Sequence, residues 1–241
     1  MSKLADALRE ARRGYTAAVV VAAGTSERMG EDKLFLDLEG ESVLARTLRA
    51  MQGSRSVDEI ILVVRPERLE EMARLRERYG ITKLVRAVPG GKTRTESALN
   101  GVLAVSRRAK IICIHDGARP FVTEKVIGGA VQKAAVAGAA APALPLKDTV
   151  KRARGGKVIE TPDRSALWSV QTPQAFRAEI IRAALQKAVT EGKTYTDDCA
   201  AAEAIGCTVS LSPGDEENIK LTTPADLPAA RAILEKRRAE G

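Results

Sequence analysis

Apolar residues in this chain fall into short runs, separated by longer stretches in which they recur every three or four positions. Ala17–Ala23 (AAVVVAA) is apolar on both faces of an extended strand and too short for a typical helix. Asp58–Arg65 (DEIILVVR) and Lys110–His115 (KIICIH) read the same way, and Lys83–Val88 reads as a further strand. Strands without a polar face belong in a parallel sheet covered on both sides. Between them, Ser42–Gln52 sets Val43, Leu44, Thr47, Leu48 and Met51 on one side behind a capping serine. A helix opened by Pro66 runs to about Tyr79, and Arg94–Ser106 forms another. Helical spacing returns over Arg177–Glu191 and Asp197–Ile205, followed by a strand at Cys207–Ser212 and a last helix from about Pro224. This alternation predicts an α/β fold: a doubly wound, mostly parallel Rossmann-like sheet that binds ligands at the carboxyl ends of its strands. The loops after residues 23, 88 and 115 emerge at that end.

One stretch departs from the pattern. LKDTVKRARGGKVIETPDR, residues 146–164, has short alternating runs on either side of Gly155-Gly156 and little apolar surface to bury on its own domain. It predicts a protruding β-arm at about 146–165, either a mobile basic hairpin or an arm reaching across a homodimer. Residues 1–16 read as an N-terminal surface extension, because the apolar face offered by Leu4 and Leu8 is small for membrane binding. Residues 17–241 read as one domain.

Composition narrows the function. Lys and Arg number 39 against 31 Asp and Glu in 241 residues, a net charge of +8, yet aromatics are only 3%. That leaves little stacking surface for single-stranded nucleic acid, and a small anionic substrate explains the charge better. The odd set Cys113, Cys199 and Cys207 lacks metal-type spacing and reads as reduced thiols. No run reaches transmembrane length and the N-terminus lacks the apolar region of a secretory signal, so a cytoplasmic location is expected.

Three loops carry the candidate chemistry. After Ala17–Ala23, Gly24 opens a loop whose backbone N–H groups lie beside Arg28 and Lys33, as a triphosphate would need; an ordinary strand-to-helix connection with solvated cations has the same composition. PGGKTRTES, residues 89–97, brings Gly91, Arg94 and Ser97 to a helix start, where amides, a guanidinium and a hydroxyl can face one ligand. HDGARP, residues 115–120, ends a buried strand with Asp116 and Arg119. Asp116 is placed to hold a metal or a ribose hydroxyl, or else to cap a helix or pair with Arg119. His115, the only histidine, reads as structural or orienting, since a phosphate already ionised near neutral pH needs no general base. No cysteine has a motif suggesting a histidine partner.

Taken together, AAGTSERMGEDK, PGGKTRTES, HDGARPF, LKDTVKR, the spaced R, LW and QTPQ.F of residues 164–176, YTDD at 195–198 and NIKLT at 218–222 resemble the 2-C-methyl-D-erythritol 4-phosphate cytidylyltransferase family in order and spacing. The match runs from about Ala17 to Leu227. The DTVKR arm and the LW before QTPQ are similar to this family rather than to ribitol-5-phosphate cytidylyltransferase, the alternative along with other sugar-phosphate nucleotidyltransferases.

The resemblance implies transfer of CMP from CTP to 2-C-methyl-D-erythritol 4-phosphate with release of pyrophosphate, in isoprenoid precursor synthesis. Mg2+ or another divalent cation is implied, as is a homodimer. Arg28, Lys33 and Lys220 fall on catalytic cations. Ala22, Ala23, Gly24, Gly91, Arg94, Ser97 and Asp116 fall on the nucleotide side, with Asp116 also the implied metal ligand. Arg119, Thr149, Arg164 and Thr172 fall on the sugar-phosphate side, and the arm bearing Thr149 and Arg164 serves the other subunit. Two positions depart from the family pattern: Asp32 stands where proline usually precedes the loop lysine, and Lys92 stands where an acidic residue is common. Base selectivity is altered if the side chain at 92 reads the base and unaltered if the backbone does.

Overall fold

The computed structural model describes residues 14–24 and 34–240. The extension up to residue 13 and the loop positions Arg28, Asp32 and Lys33 lie outside these residues. Strand β1 (Thr16–Ala22) lies between β4 (Ile111–Asp116) and β2 (Glu59–Val64), and β3 (Leu84–Pro89) follows β2. All these pairings are parallel. On the other flank β9 (Gln174–Arg177) runs antiparallel between β4 and β5 (Ala139–Pro145), and β10 (Ser210–Pro213) closes the edge parallel to β5. β8 (Trp168–Val170) also pairs antiparallel with β5, giving a mixed sheet of eight mostly parallel strands.

The two-residue period of a strand explains why this sheet has two cores. Ala18, Val20, Ile60, Leu62 and Cys113 point to one face, against α1 (Val43–Gly53), α2 (Leu69–Arg78) and α4 (Glu124–Ala137). Their neighbours Ala17, Val19, Ile61, Val63, Ile112 and Ile114 point to the other, with α3 (Arg94–Ala104), α5 (Ala178–Thr190) and α6 (Asp198–Glu203). Both sets are buried, as expected of strands apolar on both faces. Gly101 is required where α3 crosses the sheet: a Cβ there would lie 2.4 Å from Val19 Cγ1 and 2.6 Å from Val63 Cγ2.

The pattern-based elements appear with ends shifted by a few residues at most. Ser42 caps α1 by accepting from the Ala45 N–H, and Pro66 opens a 3-10 turn that leads into α2. The C-terminal helix α7 (Leu227–Glu240) covers a third cluster formed by Leu38, Val43, Phe121, Leu221, Ala230 and Leu234. Two further elements, α4 and β5, are not among those predicted: Val126, Ile127, Ala130, Val131 and Ala134 keep helical spacing in α4, and the alanine-rich run that follows hides where the helix ends and β5 begins. Gly138, at φ 95°, divides them.

The arm forms as expected. β6 (Arg152–Arg154) and β7 (Lys157–Glu160) pair only with each other, and both central residues of their turn, Gly155 and Gly156, have positive φ (55° and 75°). Type I′ hairpin turns need that geometry, which glycine adopts without steric cost. Val158 and Ile159 remain more than half exposed on this arm.

Candidate active site

The loops after β1, β3 and β4 enclose a cleft of about 370 Å³, which Lys220 also lines. Backbone contact sets its shape. A Cβ on Gly90 would stand 2.4 Å from Ala23 Cβ, and one on Gly117 would stand 3.1 Å from Ala22 Cβ, so glycines let the three loops close on one another. Of the sequence-derived nucleotide positions, Ala22, Ala23, Gly24, Gly91, Arg94, Ser97 and Asp116 all line this cleft.

The loop before α3 uses several of its polar groups internally. Thr93 caps the helix by accepting from Glu96 N–H at 3.1 Å, and the Glu96 carboxylate in turn accepts from Lys92 N–H at 2.6 Å. Gly91 N–H donates to Ser97 Oγ at 3.0 Å, and that hydroxyl donates to the Thr93 carbonyl at 2.9 Å. The amides of Gly91 and Lys92, expected to face a ligand, are thus engaged within the loop, and Ser97 fixes its shape.

Asp116 is the electrostatic centre of the cleft floor. Its carboxylate lies 3.0 Å from Lys220 Nζ, 3.5 Å from Arg119 Nε and 3.9 Å from an Arg94 terminal nitrogen. Burial alone would raise its pKa, but Lys220, Arg94 and Arg119 together outweigh desolvation and bring it down to about 2. Asp116 is therefore an ionised carboxylate shared among three cations. Of the readings its sequence left open, the ion pair with Arg119 is present, within a larger cluster.

Residues distant in sequence hold this cluster in place. Arg119 donates to the Asn218 carbonyl at 2.7 Å, and Leu221 N–H to the Ala118 carbonyl at 2.9 Å, so the segment carrying Lys220 is tied to the loop carrying Asp116. Asn218 is fully buried, and its amide donates to Gln171 Oε1 at 3.2 Å and to the Thr172 carbonyl at 2.9 Å. Thr172 Oγ1 accepts from Asp116 N–H at 3.1 Å, which makes Thr172 a support beneath the cleft rather than part of its lining. His115 is wholly buried, and desolvation lowers its pKa to about 4. It is an orienting residue, as its position at a strand end suggested.

A second network fixes Arg94. Its guanidinium makes a two-point contact with Asp198, at 2.9 and 2.7 Å. Gln174, from β9, accepts from the amides of Asp198 and Cys199 at 2.9 and 3.0 Å and donates to Asp197 at 2.8 Å. Gln171, Gln174, Asp198 and Asn218 are not among the sequence-derived site residues. Each nonetheless sits in a motif (QTPQ, YTDD, NIKLT), and a polar residue inside a buried run is the signal that marks such supports.

Thr149 and Arg164 do not line this cleft. Both are exposed at the arm, and Arg164 donates to the Lys147 carbonyl at 2.6 Å. Cys199 is buried, with its thiol pKa pushed up by desolvation, which does not suit a nucleophile.

Known proteins share this chain's sequence pattern and fold. Residues 16–236 match the family model described as IspD: 2-C-methyl-D-erythritol 4-phosphate cytidylyltransferase. The chain is 45% identical over 225 residues to the enzyme of that name from Geobacillus thermodenitrificans, covering 92% of this chain and 98% of the relative. It is 46% identical over 226 residues to that of Pelotomaculum thermopropionicum, covering 92% and 94%. Among solved structures, 4-diphosphocytidyl-2C-methyl-D-erythritol synthase from Anaerococcus prevotii superposes with a TM-score of 0.84 at 31% identity, covering 94% of this chain and 99% of that one. The Thermus thermophilus cytidylyltransferase gives 0.75 at 29%, covering 90% and 98%.

Proposed function

The chain belongs to the 2-C-methyl-D-erythritol 4-phosphate cytidylyltransferase family, and we propose how its own residues carry out that family's reaction. It transfers the cytidylyl group of CTP to methylerythritol phosphate, releasing pyrophosphate, in isoprenoid synthesis. The observation that carries the assignment of roles is the convergence of Lys220, Arg119 and Arg94 on Asp116 in a glycine-shaped cleft.

A phosphate monoester oxygen must approach the α-phosphorus of a triphosphate while pyrophosphate leaves on the opposite side. Anion meets anion, so the site acts by alignment and fixed positive charge rather than by a covalent intermediate. Ala22, Ala23, Gly24, Gly91 and Ser97 shape the nucleotide end, and Arg94 donates to it. Lys220, with Arg28 and Lys33 of the first loop, stabilises charge at the α-phosphorus as it builds. Arg119 is assigned to the acceptor side, and Thr172 supports Asp116 from beneath the cleft.

Mg2+ suits this donor set in one way. Among the described residues no three potential ligands cluster, but Asp116 supplies one ionised carboxylate at the cleft. A magnesium ion held by one carboxylate and completed by substrate phosphates needs no more. When bound, it supplies neutralisation of phosphate charge.

The arm is assigned to a second copy of the chain. Val158, Ile159 and Trp168 are 61, 54 and 46% exposed, and Arg164 lies away from its own cleft, which fits an arm that delivers Thr149 and Arg164 to the acceptor phosphate of a partner. No helix among the described residues is long and apolar enough to cross a membrane. We assign the protein to the cytoplasm, acting on small anions and not on nucleic acid. Pyrophosphate release, measured for each of four nucleoside triphosphates with methylerythritol phosphate and with ribitol 5-phosphate, tests the reaction. Turnover is expected with CTP and methylerythritol phosphate; turnover only with ribitol 5-phosphate would reassign the enzyme.

A further inference from the structure

Two carboxylates and three cations meet at the floor of the cleft, and they are not equivalent. Asp116 faces the cleft, whereas the side chain of Asp198 is 1% exposed and lies behind it. Arg94 lies between them. Two of its five N–H donors are taken by Asp198, at 2.9 and 2.7 Å, while its approach to Asp116 stops at 3.9 Å.

Asp198 is itself tied down from two sides. Gln174, on β9, accepts from its backbone amide and donates to Asp197, whose other oxygen caps the amide of Ala200 at 2.9 Å. Tyr195 N–H donates to Thr95 Oγ1 at 3.1 Å, docking the same segment on the helix that carries Arg94. The YTDD motif therefore ends in a carboxylate that cannot follow Arg94 if the guanidinium moves. Without it, the nearest counter-ion for Arg94 is Asp116, where the guanidinium would compete with Lys220, now at 3.0 Å.

We infer that Asp198 is a positioning residue for the nucleotide: it holds Arg94 as a stationary donor to the nucleoside triphosphate and keeps that guanidinium from closing over Asp116. This rests on the cleft being the CTP site. Three N–H groups of Arg94 remain for ligand, aimed by a pair that the ligand does not touch. The arrangement lowers the ordering that binding would otherwise require of a long side chain.

The test is a double-mutant cycle of Asp198→Asn and Arg94→Met, read both as kcat/KM for CTP and as the CTP Kd from calorimetry. Asp198→Asn is expected to lower kcat/KM for CTP by about a hundredfold, the scale of a misplaced binding group, while KM for methylerythritol phosphate changes by less than about twofold. On the Arg94→Met background the same substitution should have no further effect. A merely structural role would lower the melting temperature and add its loss on both backgrounds. Wild-type CTP dependence in Asp198→Asn, or additive losses, overturns the inference. If Asp198→Asn does not fold, the paired Arg94→Met/Asp198→Leu protein replaces the ion pair with an apolar contact. It should then match the CTP dependence of Arg94→Met, and wild-type behaviour in it overturns the inference. Wild-type enzyme that binds CTP but does not turn over with methylerythritol phosphate would sink the proposed reaction alone, because the cycle is still read from Kd.

Discussion

The Thr172 hydroxyl lies 3.0 Å from His115 Nδ1, and its direction there follows from which imidazole nitrogen carries the proton. His115 Nε2 faces the Arg119 carbonyl at 3.2 Å, and a carbonyl only accepts, so Nε2 bears the hydrogen. Thr172 then donates to Nδ1 and accepts from Asp116 N–H. The neutral ring thereby orders both ends of the loop that carries the cleft carboxylate.

Acid stability should report this ring. Desolvation holds the native pKa of His115 at about 4, below the 6.5 of an unfolded chain, so between these values the unfolded state binds the extra proton. The histidine contribution is fully present above pH 6.5 and lost as pH falls through 4, a change of about 3 kcal/mol. Asp116, with a native pKa of about 2, acts at lower pH, between 3.8 and 2. Urea denaturation at pH 7 and pH 4 should show His115→Asn losing less stability over that interval than wild type. Equal losses would count against a neutral buried ring.

Lys220→Ala should leave folding nearly unchanged, because the side chain is 40% exposed, yet lower turnover on the order of a hundredfold or more. Without the lysine, the pKa of Asp116 should move upward. Stopped assays alongside thermal unfolding separate the two effects, and wild-type kcat would move the catalytic charge elsewhere. Lys33→Ala is expected to lose most turnover as well.

Gly90→Ala brings a methyl group within 2.4 Å of Ala23 Cβ, which sits on backbone and cannot swing away. The loops must part, at a cost of about 1–3 kcal/mol. Since Ala23 lines the cleft, KM for CTP should rise together with the loss of stability. Unchanged KM and melting temperature would show that the loops separate freely.

Arg164→Ala should raise KM for methylerythritol phosphate far more than KM for CTP, since a charge-assisted guanidinium contact to phosphate is stronger than a neutral hydrogen bond. Mixing Arg164→Ala subunits with Lys33→Ala subunits should restore part of the activity, because one of the two sites in a mixed dimer keeps both residues. Mixed dimers that form yet stay inactive would assign each arm to its own subunit.

The parallel half of the sheet was readable because β1, β2 and β4 are apolar on both faces, a pattern that parallel strands produce and few other elements share. β5 was not, because Ala139–Ala141 are strand residues made of a helix-favouring amino acid, and only their burial between β9 and β10 decides the matter. The cleft lining was readable from loops that follow strands. Its supports were not, because Asp198 and Asn218 act at separations of 104 and 99 residues from Arg94 and Arg119, which no local pattern reveals.

The reversed strand β9 also governs when the enzyme becomes competent during its own synthesis. Its residue Gln174 organises the YTDD segment, and the neighbouring Gln171 and Thr172 hold Asn218, so the ion cluster draws on chain that leaves the ribosome late. The β1–β4 half, complete by residue 116, contains Asp116 and Arg94 but neither Asp198 nor Lys220. A nascent chain at that stage holds Asp116 with Arg94 alone of the three cluster cations, and Arg94 is unanchored. The site is assembled by the last third of the polypeptide, and a prematurely terminated product ending before Lys220 has the strands of a nucleotide-binding fold without its charge balance.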